Sequence, residues 1–206
     1  MKIVVFGASG QVGRKIVPLL LARGYNVRAF VHSNNPFQTN ANLEAITGDV
    51  HSEPDIVKAV DGVDAVVSVL GSWHTKTKDI QVSAMQHLIP TMQAAGIQRI
   101  VSLTGSGAFD PADKLTLGRR LARVIPLKVF KDGSEHIALL RASGLNWTVL
   151  RSPVMKEQGL KPYDITAVQP GMLSTISRDS VAAAMAELIE SDKWTHQAPY
   201  IKSAKA

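Results

Sequence analysis

The 206-residue chain contains no cysteine. Disulfides, thiolate metal centres and a cysteine nucleophile are therefore excluded, and the composition is compatible with a reducing compartment. Aromatic residues make up only 5% of the sequence. The one modest basic cluster, Arg119, Arg120, Arg123, Lys128 and Lys131, has no aromatics interleaved with it. Nucleic acid is thus not an expected partner, and the net charge of +6 suits small anionic ligands instead. Long apolar runs are missing too: those present are of strand length, too short to span a bilayer, so no membrane association is expected. No signal-peptide pattern precedes the first apolar run, which makes the cytoplasm the expected location.

Two catalytic signatures are also lacking. The histidines, His32, His51, His74, His87, His136 and His196, show neither a His-Glu-x-x-His pattern nor close pairing, so no metal site is expected. Gly105-Ser106-Gly107 lacks the leading residues of a Gly-x-Ser-x-Gly elbow, which argues against a serine hydrolase. With 45% hydrophobic and 19% charged residues, and no internal repeat or linker, residues 1–206 read as a single domain. A chain of this length buries roughly 70% of its unfolded surface.

What is present starts at the N-terminus. The apolar run Ile3, Val4, Val5, Phe6 leads directly into Gly7, Gly10 and Gly13, and then into the amphipathic series Val12, Ile16, Leu19, Leu20. A buried strand feeding a glycine-rich turn and a helix is a seat for pyrophosphate. Glycine permits positive φ and close backbone approach, and the free N–H groups and positive dipole end of the helix favour an anion. The candidate contacts are Gly7, Ser9, Gly10, Gln11, Val12 and Gly13. The spacing is Gly-x-x-Gly-x-x-Gly, one residue longer between the first two glycines than the commonest dinucleotide fingerprint.

The remaining chain alternates strand and helix. Strands are expected at Val27–Val31, Leu43–Thr47, Ala65–Leu70, Arg99–Leu103 and Thr148–Arg151, with helices at about Pro54–Val60, Asp79–Ala95 and Gly133–Ala142. That alternation predicts an α/β, doubly wound parallel sheet, the Rossmann fold. The small C-terminal extension carries short strands at Tyr163–Val168 and Leu173–Ile176, a helix at about Arg178–Ser191 and a strand near Tyr200. Ligands of such sheets sit beyond the carboxyl ends of the strands. Those ends hold Gly7 to Gly13, His32 to Asn34, Asp49 and Val50, Leu70 and Gly71, Thr104 to Ser106, and Ser152 to Met155, Pro153 among them. Ser106 is either a hydrogen-bonding group for nicotinamide or acceptor, or a turn serine. Trp73, Phe109 and Met155 are candidate pocket residues, whereas Trp147 opens a strand and belongs to the core.

Four segments together carry a family resemblance: Gly7-Ala8-Ser9-Gly10-Gln11-Val12-Gly13, Gly48-Asp49-Val50, Ser102-Leu103-Thr104-Gly105-Ser106, and Ala142 through Pro153 with its Ser-Gly-Leu and Arg-Ser-Pro ends. The chain resembles the atypical short-chain dehydrogenases/reductases almost end to end. Within them it is most similar to the NAD(P)H-binding, NmrA-like branch that includes flavin reductases of the biliverdin reductase B type. The resemblance implies a nicotinamide cofactor, with Asp49 beside the adenine.

Charge at the end of the second strand bears on which cofactor. NAD-preferring sites place a carboxylate there, which would repel a 2′-phosphate. Here stand His32, Ser33 and Asn34, followed by Asn35, none of them acidic, so NADP(H) is favoured over NAD(H). The resembling reductases often carry Arg where His32 stands, which weakens that preference; Arg28 lies mid-strand, and Arg14 is expected to be solvated. Ordinary dehydrogenases of this superfamily pair a Tyr with a Lys four residues later. Lys131 is the nearest equivalent lysine, but Leu127 occupies the tyrosine position, and Tyr25, Tyr163 and Tyr200 all fall elsewhere. Without that phenol an unactivated ketone lacks its general acid, a loss of roughly two to four powers of ten. Flavins and quinones can take their proton from solvent.

Two function classes remain open: an NADPH-dependent reductase of a small planar redox acceptor, with Ser106 and Lys131 as catalytic candidates, and a non-catalytic NAD(P)-binding redox sensor of the NmrA type. Either would act as a monomer or homodimer.

Overall fold

The computed structural model describes residues 1–71, 79–113 and 128–204. Trp73, Leu127 and the basic residues Arg119, Arg120 and Arg123 lie outside them. In chain order the elements are β1 (Lys2–Phe6), α1 (Gly13–Ala22), β2 (Asn26–Val31), β3 (Leu43–Thr47), α2 (Glu53–Val60), β4 (Ala65–Ser68), α3 (Ile80–Ala94), β5 (Arg99–Gly105), α4 (Lys128–Ala142), β6 (Asn146–Ser152), β7 (Val154–Lys156), β8 (Tyr163–Thr166), β9 (Thr175–Ser177), α5 (Arg178–Glu190) and β10 (Tyr200–Ser203).

Eight strands form one sheet in the order β3-β2-β1-β4-β5-β6-β10-β8, and β7 pairs with β9 in a separate two-stranded ribbon. All pairings from β3 to β10 are parallel; only β8 runs antiparallel, against β10. The order reverses direction at β1 and β4, where the chain leaves one half of the sheet for the other. This is the Rossmann arrangement that the alternation of strands and helices predicts, and its switch point lies beside the glycine turn.

The central strands β1, β2, β4, β5 and β6 bury both faces. In β1, Ile3 and Val5 join a core with Ile16, Val17 and Leu20 of α1 and Val181 and Met185 of α5. Val4 and Phe6 join the opposite core, with Ile56 of α2, Met85 and Leu88 of α3 and Ile137 of α4. Side chains that alternate between two buried layers explain why the strand reads as a continuous apolar run rather than as alternating polarity. Each fully buried Val, Ile or Leu contributes roughly 1.5–3 kcal/mol.

Several boundaries differ from expectation. Strand β4 stops at Ser68 rather than Leu70, and β5 continues two residues past Leu103 to Gly105. Helix α4 begins at Lys128 instead of Gly133, so Gly133 lies inside it. Its glycine is required by packing: a Cβ there would stand 2.5 Å from Thr104 Oγ1 and 2.9 Å from the Ala108 Cβ. The extension also contains β7, a short and mostly exposed strand directly after Pro153 that no periodicity announces.

Candidate functional site

The glycine turn is shaped by close backbone approach. Gly7 has φ +78°, and a Cβ on it would lie 3.1 Å from the Val69 backbone. The Gly10 N–H donates to the Gly7 carbonyl at 3.0 Å, closing the turn. At Gly13 a Cβ would overlap the carbonyl oxygens of Gly7 and Ala8, so only glycine lets α1 start this close to β1. The N-terminus of α1 has no side-chain cap and no acidic residue in its first turn. Gly10 and Gln11 are exposed there. A glycine cradle at an uncapped, acid-free helix start fits the pyrophosphate of a dinucleotide, with Gly7 through Gly13 as the residues that would hold it. Arg14 is exposed, and its Nε donates back to the Ser9 carbonyl at 2.8 Å.

At the end of β2, His32, Ser33, Asn34 and Asn35 are all exposed. Arg28 of β2, four residues before His32, is only 7% exposed. Its guanidinium donates to Glu44 and to the carbonyls of Lys58, Ala59 and Asp61 at the C-terminus of α2, so it is not available to a cofactor. Asp49 makes a local turn: its Oδ1 accepts the His51 N–H at 2.9 Å, while its own N–H donates to Asp55 Oδ2. Val50 is buried among Phe6, Phe30 and Ile56.

On the β4 side of the switch point, the segment just past β4 and the end of β5 are joined by a side chain. Gln81, in the first turn of α3, donates from Nε2 to the carbonyls of Leu70 and Leu103, both at 2.9 Å, and its Oε1 accepts the Thr104 hydroxyl at 2.9 Å. Asp132 of α4 caps α3 from outside, accepting the Val82 N–H at 3.0 Å and the Gln81 N–H at 3.4 Å. Neither residue stands out in the sequence, because their partners lie far away along the chain. Gly71 is exposed with open space around it. Ser106 is half-buried; its N–H donates to the Ser152 carbonyl at 2.7 Å, and its carbonyl accepts from Gln169 at 2.9 Å. Pro153 is buried beside it, and its carbonyl accepts the Ser152 hydroxyl.

The structure therefore brings the glycine turn, His32 to Asn34, Asp49, Val50, Leu70, Gly71, Thr104, Ser106 and Pro153 to one edge of the sheet. Lys131 is not brought there. Its side chain is 75% exposed and lies 3.6 Å from Glu135 one turn along α4. The same helix turns Asp132, Gly133 and His136 toward the sheet. Tyr25 donates to Glu190 and Tyr163 to Glu187, with burial pushing the Tyr163 phenol up to about 12. Tyr200 is fully buried, the Arg151 guanidinium 3.8 Å above its ring. Below the edge, His136 Nε2 and Ser102 Oγ are 2.8 Å apart in the core, and desolvation lowers the imidazole to about 4, so it is neutral. Trp147 is 2% exposed and is core; Met155 packs against the α1 and α5 layer.

Comparison with known proteins agrees with this geometry. The NAD(P)H-binding family matches residues 7–192. Among curated proteins, the chain is 26% identical to the uncharacterized sugar epimerase YhfK of Bacillus subtilis over 190 residues, which are 88% of this chain and 85% of that one. It is 30% identical to a 3-beta-hydroxysteroid dehydrogenase of Mycolicibacterium neoaurum over 112 residues, 48% of this chain but only 31% of that protein's length. Among solved structures, the oxidoreductase ylbE of Lactococcus lactis superposes with a TM-score of 0.82 at 19% identity, covering 100% of this chain and 92% of that one. ChuY of Escherichia coli O157:H7, described as an anaerobillin reductase, gives 0.76 at 19% identity with 100% and 98% coverage. At those identities the structural likeness establishes the fold. No helix among the described residues is long and apolar enough to cross a membrane.

Proposed function

The chain belongs to the NAD(P)H-binding family, and from that premise we propose that it is an NADPH-dependent reductase of a flavin, a quinone or a similar planar acceptor. When bound, a reduced nicotinamide supplies a hydride; the acceptor gains two electrons and one proton in that form and takes its second proton from water. The protein's part is to bind, orient and exclude solvent. Gly7 to Gly13 seat the pyrophosphate. His32, Ser33 and Asn34 offer hydrogen bonds to a 2′-phosphate with no carboxylate to oppose them. Thr104, Ser106 and Pro153 bound the acceptor end.

The observation that carries this reading is the chemistry of that end. The Gln81 amide has both its oxygen and its nitrogen engaged, Thr104 is bonded to it, and Lys131 faces solvent. None of the three tyrosines offers an accessible phenol beside these residues: two are held by Glu190 and Glu187 and the third is fully buried. A site that holds no tuned acid among the described residues selects acceptors that protonate readily once reduced. ChuY, described as an anaerobillin reductase and similar in fold, is in keeping with a reductase.

The test is spectrophotometric: NADPH oxidation by the pure protein with free flavin and with menadione, against an aldehyde and an unactivated ketone. Turnover of the first pair alone is expected. If NADPH binds and none of the four is reduced, the protein is a redox sensor of the NmrA type.

A further inference from the structure

Beyond β5 the chain makes the turn Ser106 to Asp113, and Ser106, Ala108, Phe109, Asp110 and Asp113 are each held from outside it. The Arg151 guanidinium, 3% exposed, donates to Asp113 Oδ2 at 2.7 Å and to Asp113 Oδ1 at 2.8 Å, and its Nη1 reaches the Ala108 carbonyl at 3.3 Å. Its Nε donates to the Ala198 carbonyl at 2.8 Å, and the whole group lies over the Tyr200 ring. Three residues before Asp113, Asp110 receives Arg141 Nη2 on both oxygens at 2.7 Å, and Arg141 in turn lies 5.1 Å from the Trp147 ring centroid. The Phe109 N–H donates to Ser134 of α4. The two carboxylates are also tied to each other through the backbone, the Asp110 N–H donating to Asp113 Oδ2 and the Asp113 N–H to the Asp110 carbonyl.

Two arginines from different elements, each stacked on an aromatic ring, thus clasp two aspartates of one turn. A buried ion pair is weak evidence of a gain in stability, because desolvating both charges offsets their attraction. Its geometric effect is definite: a planar fork matched to a carboxylate fixes direction as well as distance, which an ammonium cannot do. The object fixed is the turn that starts at Ser106.

We propose that Arg151, supported by Arg141, is a positioning residue for the acceptor: it holds the Ser106–Asp113 turn so that Ser106 and its neighbours form a rigid wall at the acceptor end of the site. The proposal rests on the reading of that edge as the place where an acceptor binds. Catalysis is sensitive to displacements of the order of 1 Å, so loosening this wall costs turnover without touching the glycine cradle.

The decisive variant is Arg151→Lys, which keeps the charge and loses the fork. Three readouts are taken on the full chain: hydrogen exchange of the peptide 105–113, the dissociation constants of NADPH and of menadione by fluorescence, and menadione kinetics. Exchange of the turn is expected to accelerate, the menadione dissociation constant and KM to rise about tenfold, and NADPH affinity to stay within about twofold. The double variant Arg151→Met with Asp113→Leu removes both buried charges; it is expected to recover stability relative to Arg151→Met alone while menadione binding stays weak, because the Ala108 carbonyl has lost its donor. It also serves if Arg151→Lys fails to fold. Unchanged exchange of the turn overturns the proposal, as does faster exchange with menadione binding and kinetics unaltered. Failure of the wild-type protein to reduce menadione would count against the reductase reading alone, since exchange and menadione binding still judge the clasp.

Discussion

Gln81 of α3 and Thr104 of β5 are hydrogen-bonded at 2.9 Å just beyond the last β4–β5 pair, Ser68 and Ser102, the hydroxyl donating to the amide oxygen. The amide nitrogen of the same side chain bridges the carbonyls of Leu70 and Leu103. Replacing it with Gln81→Glu preserves shape and removes both donors, leaving two carbonyls facing a carboxyl group that is 6% exposed as a residue. A loss of about 3 kcal/mol in unfolding free energy is expected from urea titration, the cost of buried groups left unpaired. A loss under 1 kcal/mol would show that water takes over the bridge.

Two glycines of the same turn respond differently to a side chain. A Cβ on Gly10 meets only the Gly7 carbonyl, at 3.1 Å, whereas one on Gly13 overlaps two carbonyls. Gly10→Val should leave a folded protein that no longer binds NADPH, read by calorimetry. Gly13→Ala should instead destabilise the fold by about 2 kcal/mol or more. NADPH binding by Gly10→Val at wild-type strength would refute the pyrophosphate seat.

Cofactor choice is tested at His32. His32→Asp sets a negative charge where a 2′-phosphate would lie and should reduce the ratio of NADPH to NADH affinity about fivefold, the scale of one charge pair at an exposed site. An unchanged ratio would place the phosphate elsewhere.

His136 makes the fold acid-sensitive. Its folded pKa is near 4 because burial penalises the cation, against about 6.5 in the unfolded chain. A histidine depressed in this way binds its proton preferentially in the unfolded state, so its stabilising contribution is complete above pH 6.5 and drains away as the pH falls toward 4. Between pH 7 and 5 the loss attributable to this residue is about 2 kcal/mol. Urea titrations of wild type and His136→Gln at both pH values give the difference; parallel losses would exclude the imidazole as the cause.

Much of this fold is legible in the chain. Leu43–Thr47 is a strand with the expected limits, and the glycine turn stands where the pattern of Gly7, Gly10 and Gly13 puts it. Local patterns carry such features because apolar periodicity and turn chemistry are decided by near neighbours. Gly133 misleads for the opposite reason: it punctuates helices in general, and here it sits inside one because Thr104 and Ala108 press against it. Asp132 capping α3, and Arg151 gripping Asp113, join residues some 50 and 38 positions apart, which no window along the sequence registers. Lys131 matches a motif whose tyrosine is missing, and the helix turns it to solvent.

The burial of Arg28 has an effect that reaches beyond its own strand. With that guanidinium enclosed between Glu44 and the end of α2, any discrimination exercised at the end of β2 falls to side chains immersed in solvent. Forces between such groups fade over a Debye length of about 8 Å at physiological ionic strength. Were the two nicotinamide dinucleotides told apart there, the selectivity would be set jointly by the chain and by the salt around it, weakening steadily as the electrolyte is concentrated.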